Sequence, residues 1–137
     1  PDIDALLYHQ LKPGNWGMIN DNGYPQTPYW AAWLIEQCAP KGAIRPAIWR
    51  IDDNTVAATV KSESTNSLII ATVDPDPMEL RITPVGLGEV VAARQRSVSD
   101  AEGQWQREGL PAQHRQTIVT RGAGVTVIEY INADQCQ

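Results

Sequence analysis

The sequence predicts a mainly β protein, an antiparallel β-sandwich of about seven or eight strands that follows an N-terminal strand-turn-helix appendage. From residue 43 onward, apolar and polar residues alternate in short runs, which is the period of a half-buried strand. Turn-forming triplets such as Asp52-Asp53-Asn54 and Gly122-Ala123-Gly124 separate these runs. The stretch from Trp16 to Cys38 is different, because it holds a turn, a helix start and most of the aromatic residues.

A helix is predicted directly after this turn. Asn22-Gly23 favours a tight turn, since both residues tolerate left-handed backbone conformations. Thr27 then fits an N-cap, with Pro28 at the first helical position, and the helix should run to about Cys38. Its apolar arc is wider than that of a solvent-facing helix, so we expect it to be buried on two sides. That arc comprises Trp30, Ala31, Trp33, Leu34, Ile35 and Cys38.

We divide the chain into residues 1–40, a strand and helix, and residues 41–137, the sandwich. Before the helix, Asp4–Leu11 fits either a buried strand or a short helical turn, and residues 16–19 fit a strand. Seven strands are predicted beyond it: Ala43–Ile51, Thr55–Ser62, Leu68–Val73, Met78–Pro84, Glu89–Arg94, Gln116–Thr120 and Val125–Ile131.

The segment between Gln95 and Arg115 has the weakest pattern. Twenty residues without structure would be unusual inside a compact domain, so we expect a further short strand around Gln104-Trp105-Gln106. Trp105 then either closes one end of the sandwich or forms an exposed platform.

Composition limits the possible partners. With 137 residues, 42% of them apolar and 20% charged, the chain can build one core. Its net charge of −5 argues against nucleic acid and anionic membranes, which attract basic surfaces. No apolar run approaches the roughly 20 residues of a membrane span. The chain opens on Pro1 without a signal peptide, as expected if a segment has been removed or the sequence is an excerpt.

The two cysteines, Cys38 and Cys136, lie at the end of the predicted helix and near the end of the chain. A disulfide between them would close a long loop and, in the chain-entropy model, would stabilise the folded state by about 4–5 kcal/mol. Two unpaired, small apolar residues are the alternative.

No active site is visible in the residue pattern. The chain has no GxSxG, P-loop or GxGxxG motif, and His9 and His114 have no evident nucleophile partner. The acids Glu36, Glu63 and Glu129 are isolated in sequence, whereas glycoside cleavage needs two carboxyl groups about 5–10 Å apart. Turn chemistry accounts for the aspartates at 52, 53, 74 and 76 without a calcium ion. We therefore predict no metal, no cofactor and no catalytic residue.

One stretch resembles a known family. The run WGMINDNG at residues 16–23, followed by Pro25 and by PYWAA at residues 28–32, resembles the closing segment of retaining (β/α)8-barrel glycoside hydrolases of the xylosidase, arabinofuranosidase and endoglucanase type. There the last barrel strand leads through a similar loop into the last barrel helix. The later run GAGVTVIEY at residues 122–130 resembles the closing strand of the β-sandwich that follows the barrel.

This resemblance implies that the chain is the C-terminal part of a larger enzyme. The two catalytic glutamates of such enzymes stand at the ends of the fourth and seventh barrel strands, upstream of these residues. A complete barrel needs at least about 200 residues, so its remainder must lie in the same or another chain, as a partner. The resemblance places Trp16 and Asn20 near the barrel rim, with Trp16 as a candidate sugar-subsite residue.

Three functions follow as hypotheses. A non-catalytic sandwich that braces the barrel should carry a large apolar patch where the barrel sits. A stand-alone carbohydrate-binding module should expose coplanar rings, and a structural or interaction domain should bind no ligand. Under the first two a polysaccharide is a candidate partner, and the location is extracellular or periplasmic. The rings available for the second are Trp16, Tyr24, Trp49 and Trp105, and the predicted substrate-binding residues are Trp16, Asn20, Tyr24 and Trp105.

Overall fold

The described part of the chain is a β-sandwich with one helix packed on it. The computed structural model describes residues 18–39, 42–62, 65–87, 89–110 and 115–132. Within them it has one helix and eight strands, which confirms the predicted mainly β, antiparallel fold: α1 Thr27–Cys38, β1 Ile44–Arg50, β2 Thr55–Lys61, β3 Thr65–Thr72, β4 Glu79–Ile82, β5 Val90–Ser99, β6 Gly103–Arg107, β7 Gln116–Val119 and β8 Gly124–Asn132. The segment Asp4–Leu11 lies outside these residues.

The strands form two antiparallel layers of unequal size. The larger sheet has six strands in the order β1-β2-β3-β8-β5-β6, and the smaller sheet has two, β4 and β7. Strand β8 lies in the middle of the larger sheet between β3 and β5, and six of its residues from Val125 to Tyr130 are buried. A nearly continuous apolar run of this kind is expected for a strand that is covered on both faces.

The two faces of the larger sheet have separate apolar clusters. On one face, Leu34 and Cys38 of α1 pack with Val98, Val127 and neighbouring valines; we call this the helix face. On the other face, Ile70, Ile128 and Tyr130 pack with Ile118 of the smaller sheet; we call this the sandwich face. Because successive side chains of a strand point to opposite faces of the sheet, neighbouring residues belong to different cores.

Strand β5 extends beyond its predicted end at Arg94. Its buried positions continue there, but polar residues occupy several of them. Gln95, Ser97 and Ser99 are buried although they are hydrophilic. The Gln95 side chain donates to the carbonyl of Val119 (3.1 Å), and the hydroxyls of Ser97 and Thr126 lie 3.0 Å apart. Buried polar groups are tolerated when they are hydrogen-bonded in this way, but an apolar alternation rule cannot recognise them. The additional strand around residues 104–106 is confirmed as β6.

The prediction for the start of the helix was one residue late. Gln26 is the N-cap, with an extended backbone and no side-chain cap hydrogen bond, so Thr27 and Pro28 occupy the first two helical positions. Proline is still tolerated there, since a first-turn N–H has no helical partner. The end at Cys38 is as predicted.

The expectation that α1 is buried on two sides is wrong for the described residues. Leu34 and Cys38 are 1% exposed, and Trp30 and Ala31 pack beside them. The flanks are open, because Trp33 is 39% exposed and Ile35 is 37% exposed. Nothing in the described part of the chain covers the side of the helix that faces away from the sheet.

Candidate functional site

The turn before α1 brings two predicted binding residues together. The amide oxygen of Asn20 accepts the backbone N–H groups of Asn22 (3.0 Å) and Tyr24 (2.9 Å), and the Asn20 N–H donates to the Tyr24 carbonyl (2.9 Å). Asn20 therefore shapes this turn, as asparagine side chains often do. The ring of Tyr24 is 67% exposed. Trp16 lies outside the described residues, so its predicted role is not tested.

Trp105 lies on β6, at the edge of the larger sheet. It pairs with Ser97 in the β5–β6 ladder, and Ser97 meets Thr126 on the sandwich face. Its side chain is partly buried, and the guanidinium carbon of Arg121 lies over the ring, 3.9 Å from the ring centroid. Glu102 accepts a hydrogen bond from Arg121 at 2.8 Å. This cation–π contact covers part of the ring, and Trp105 also lines a small cavity with Trp33 and Leu34 of α1.

The sequence reading missed a buried ionic cluster on the helix face. Glu129 of β8 is 2% exposed, and both its carboxylate oxygens accept hydrogen bonds from two arginines of β5. Arg94 contributes contacts of 2.7 and 3.2 Å, and Arg96 contributes contacts of 2.8 and 2.9 Å. The cross-strand register brings these charges together, because Arg94 pairs with Glu129 and Arg96 lies two residues further along β5, on the same face, opposite Val127. Local spacing in sequence could not show it.

The cluster also contacts the end of the helix. Arg96 donates to the sulfur of Cys38 at 3.1 Å. Burial, the largest cause, raises the pKa of the Cys38 thiol to about 11, so the sulfur is neutral and unreactive at neutral pH. Cys136 lies outside the described residues, and its disulfide with Cys38 remains a prediction.

Glu129 is not arranged as an acid catalyst. Burial alone would raise the pKa of its carboxyl, but the hydrogen bonds and charges of Arg94 and Arg96 outweigh burial and hold that pKa below the usual range. The group is therefore ionised and fully paired at neutral pH, whereas a general acid needs a raised pKa and a reachable proton. Its geometry is that of a structural anchor between the sheet and α1.

No metal site emerges from the described part of the chain. Within it, no group of three or more histidine, cysteine, aspartate or glutamate side chains is placed to hold an ion. Asp52 and Asp74 accept backbone N–H groups two residues further on, from Asn54 and Asp76, which is the local turn chemistry expected of aspartate. His9 and His114 lie outside the described residues.

The clearest surface feature is apolar and lies on the helix face. In α1 only Glu36 is charged, although the helix has twelve residues. Tyr29 and Trp33 share one flank, where Trp30 links them through edge-to-face contacts with centroids 5.1 and 6.0 Å apart. We call the uncovered set the helix-side patch: Tyr29, Trp33 and Ile35 of α1, with Ile48 of β1 and Val56 of β2.

Ile48 and Val56 belong to the same face as the helix. Ile48 pairs with Ala58, which pairs with Ile69 of the helix-face cluster. They are 55% and 45% exposed, because α1 packs against β8, β5 and β3 and leaves the β1–β2 side open. Within the described residues these apolar side chains have no cover.

A cleft lies on the sandwich face, between the larger sheet and residues 82–87. Its volume is about 490 Å³, within the range of ligand or segment-binding pockets. Its walls are mostly apolar, and Lys61 is its one charged lining residue among those described. Trp49, which is 42% exposed, stands at the β1 side of the cleft.

Comparison with known proteins bears on the fold. No protein-family model matches the sequence, and no curated protein matches it. Among solved structures, a GH30 endoxylanase from Clostridium papyrosolvens C71 is similar with a TM-score of 0.67 and 8% identity, over 85% of this chain and 30% of that one. A GH30 subfamily 8 xylanase, Xyn30A, from Clostridium acetobutylicum is similar with a TM-score of 0.70 and 9% identity, over 90% of this chain and 32% of that one. The chain thus has the fold of a segment spanning about a third of these two xylanases.

Proposed function

We propose that this chain is the non-catalytic C-terminal part of a glycoside hydrolase, in which residues 41–137 form a sandwich that braces a catalytic barrel. In this proposal the turn and α1 within residues 1–40 belong to the last barrel strand and helix. The shared fold with part of two xylanases supports this role. The whole enzyme's substrate would be a polysaccharide, and its location extracellular or periplasmic, since polysaccharides are too large to enter a cell intact.

The helix-side patch is the observation that carries the proposal. A helix exposed to water normally has a polar outer face, but α1 exposes Tyr29, Trp33 and Ile35 and has one charge. The barrel of a larger enzyme would bury these side chains against its neighbouring helices. Burial of each side chain would contribute about 25 cal/mol of stabilising free energy per Å² of apolar area removed from water.

The rim of such a barrel is where the predicted sugar contacts belong. Asn20 and Tyr24 stand in the turn that leads into α1, and Trp16 precedes that turn in sequence. Active sites of these barrels lie at the loops that follow the strands. Tyr24, exposed and held by Asn20, is the described side chain best placed for this contact.

The decisive experiment has two parts, the sequencing of the gene upstream of Pro1 and a stability measurement on one variant. Sequencing the coding DNA upstream of Pro1 should show an in-frame stretch that encodes alternating strands and helices. Trp33→Glu should then reduce the unfolding free energy of the longer polypeptide by about 2 kcal/mol or more, because it places a charge in a buried interface. In the 137-residue chain alone its cost should be about 0.5 kcal/mol.

Val119→Glu is the matched control, since Val119 is 44% exposed on the smaller sheet. It should cost little in either context. A start codon directly before Pro1, or equal effects of Trp33→Glu in both contexts, would refute the proposal.

Stand-alone carbohydrate binding is a second candidate, favoured by the exposed rings of Tyr24 and Trp49. Titration of the isolated chain with soluble polysaccharides, followed by tryptophan fluorescence, tests it. The absence of any spectral change across a broad panel would eliminate this candidate.

A further inference from the structure

The small cavity beside Trp33 lies at the seam between α1 and the edge of the larger sheet. Trp33 and Leu34 line it from the helix, and residues of β5 and β6 line it from the sheet. Its volume is about 170 Å³, close to the roughly 150 Å³ that accepts one benzene-sized ring in an engineered protein core. The cavity therefore has room for a single six-membered ring.

Two glutamines of β6 face this cavity from the sheet. Gln104 is paired with Val98 in the β5–β6 ladder, and Gln106 is paired two positions away. Residues that pair across antiparallel strands share a face, and Val98 belongs to the helix-face cluster. Both glutamines therefore lie on the side of the sheet that α1 covers. The Gln106 amide donates to Glu108, whereas the side-chain amide of Gln104 makes no hydrogen bond within the described residues.

Arg96 adds a hydrogen-bond donor to the lining of the cavity. Its Nε and Nη2 atoms donate to Glu129, and Nη2 also contacts the sulfur of Cys38 at 3.1 Å. Side-on pairing of this kind directs Nη1 away from the carboxylate. The carboxylates of Glu129 and Glu108 offset the two arginines of β5 near this face. The cavity thus offers hydrogen-bonding groups without an excess of charge.

These features match one unit of a neutral sugar. A pyranose has a six-membered ring, an apolar C–H face that packs on an indole, and a rim of hydroxyl groups. Trp33 supplies the indole, Gln104 supplies an amide that both donates and accepts, and Arg96 supplies a donor. A purely aromatic ring would leave these polar groups unpaired, and an anion would find no excess positive charge.

We infer that this cavity binds one pyranose unit of a neutral oligosaccharide, with the apolar face of the sugar on Trp33 and its hydroxyl groups on Gln104 and Arg96. This inference goes beyond the proposed function and does not require it, because all of these residues lie within the 137-residue chain. An indole has two faces, so Trp33 can line the cavity and still contact a barrel helix. The site is separate from the turn before α1 and from Trp49.

An NMR titration of the ¹⁵N-labelled 137-residue chain tests the inference. Xylotriose and cellotriose are the neutral probes, and trigalacturonate is the anionic probe. A site for a single ring should bind at least one neutral probe with a Kd of about 1–10 mM. The side-chain NH₂ signals of Gln104 and the backbone amides of β6 should shift, while the amides of β4 should not. Trigalacturonate should bind at least about fivefold more weakly than that neutral probe.

Two substitutions identify the site. Trp33→Ala should weaken binding about tenfold because it removes the stacking surface, and Gln104→Ala about fivefold because it removes one hydrogen bond. Trp49→Ala is the matched control, since Trp49 is 42% exposed against 39% for Trp33 but lies on the sandwich face, paired with Ala57. It should leave the Kd unchanged. Far-UV circular dichroism checks that each variant is folded.

Other results overturn the inference. No shift at about tenfold above the expected Kd would mean that the cavity takes no sugar, and shifts confined to the surroundings of Trp49 would place the sugar on the sandwich face. Tighter binding of trigalacturonate would indicate an anion site. Binding that is lost in the longer polypeptide would mean that a barrel covers the cavity, so the proposed function would stand and this inference would fail. Binding in both polypeptides, together with equal effects of Trp33→Glu on their stability, would refute the proposed function and leave this inference standing.

Discussion

The two faces of the larger sheet are stabilised by different interactions. The sandwich face is packed with Ile70, Ile118 and Ile128, each 2% exposed or less, and its polar groups are mostly neutral. The helix face is built from valines, Ile69, Leu34 and Cys38, and it buries a carboxylate between two arginines. One face therefore depends on apolar area, and the other also depends on a charge cluster.

This difference fits what each face supports. Apolar packing is non-directional and tolerates small shifts, whereas a carboxylate with four hydrogen bonds has one favourable arrangement. Arg96 bonds Glu129 and Cys38 together, so the cluster fixes the end of α1 against β5 and β8.

The largest loss of stability is expected from the sandwich face. Ile128→Ala removes a side chain that is 0% exposed and leaves a cavity that the rigid sheets cannot close. The unfolding free energy should fall by about 4 kcal/mol, as measured by urea denaturation. A loss below about 1 kcal/mol would show that this face repacks and that its packing is not the main support of the fold.

Glu129→Ala should cost less, about 3 kcal/mol. Removing the carboxylate leaves two partly buried arginines unpaired, which is more costly than losing the ion pair itself. The side chains of Arg94 and Arg96 are 33% and 14% exposed, so water compensates part of the loss. The exposed Glu36 is the control, and Glu36→Ala should change stability by less than about 0.5 kcal/mol.

The same cluster predicts how stability depends on pH. The pKa of the Glu129 carboxyl is lower in the folded protein than its ordinary value of 4.5, so the unfolded chain binds this proton more tightly. Its contribution is complete above that ordinary value and is lost as pH falls below it toward the folded pKa. Urea midpoints measured from pH 6 down to about pH 3 should decline less steeply in Glu129→Gln than in the parent. Parallel slopes would contradict the assignment.

The sequence was sufficient for features that repeat along the chain. The alternation and turn triplets predicted the strands, and the end of α1 at Cys38 was placed correctly. The Glu129 cluster depends on β5 lying beside β8, which is a non-local pairing, so sequence spacing could not show it. The same limit applies to Trp105, whose contact with Arg121 crosses from β6 to the turn before β8.

Non-local pairing does not explain why the open flank of α1 was not predicted. Its wide apolar arc predicted two buried sides, but within the described residues only one side is buried. A pattern of side chains records what a surface is suited to contact, and not whether that contact lies within the same 137 residues.

The smallest effect should come from the uncovered part of the helix face. Ile48 and Ile69 share that face, but Ile48 is 55% exposed and Ile69 is 9% exposed. Ile69→Thr should cost about 2 kcal/mol, because it buries a hydroxyl and loses a methyl group, whereas Ile48→Thr should change stability by less than about 0.5 kcal/mol. Thermal unfolding of both variants in the 137-residue chain gives the comparison. Equal costs would mean that Ile48 is already covered in solution, and the helix-side patch would then no longer argue for a barrel.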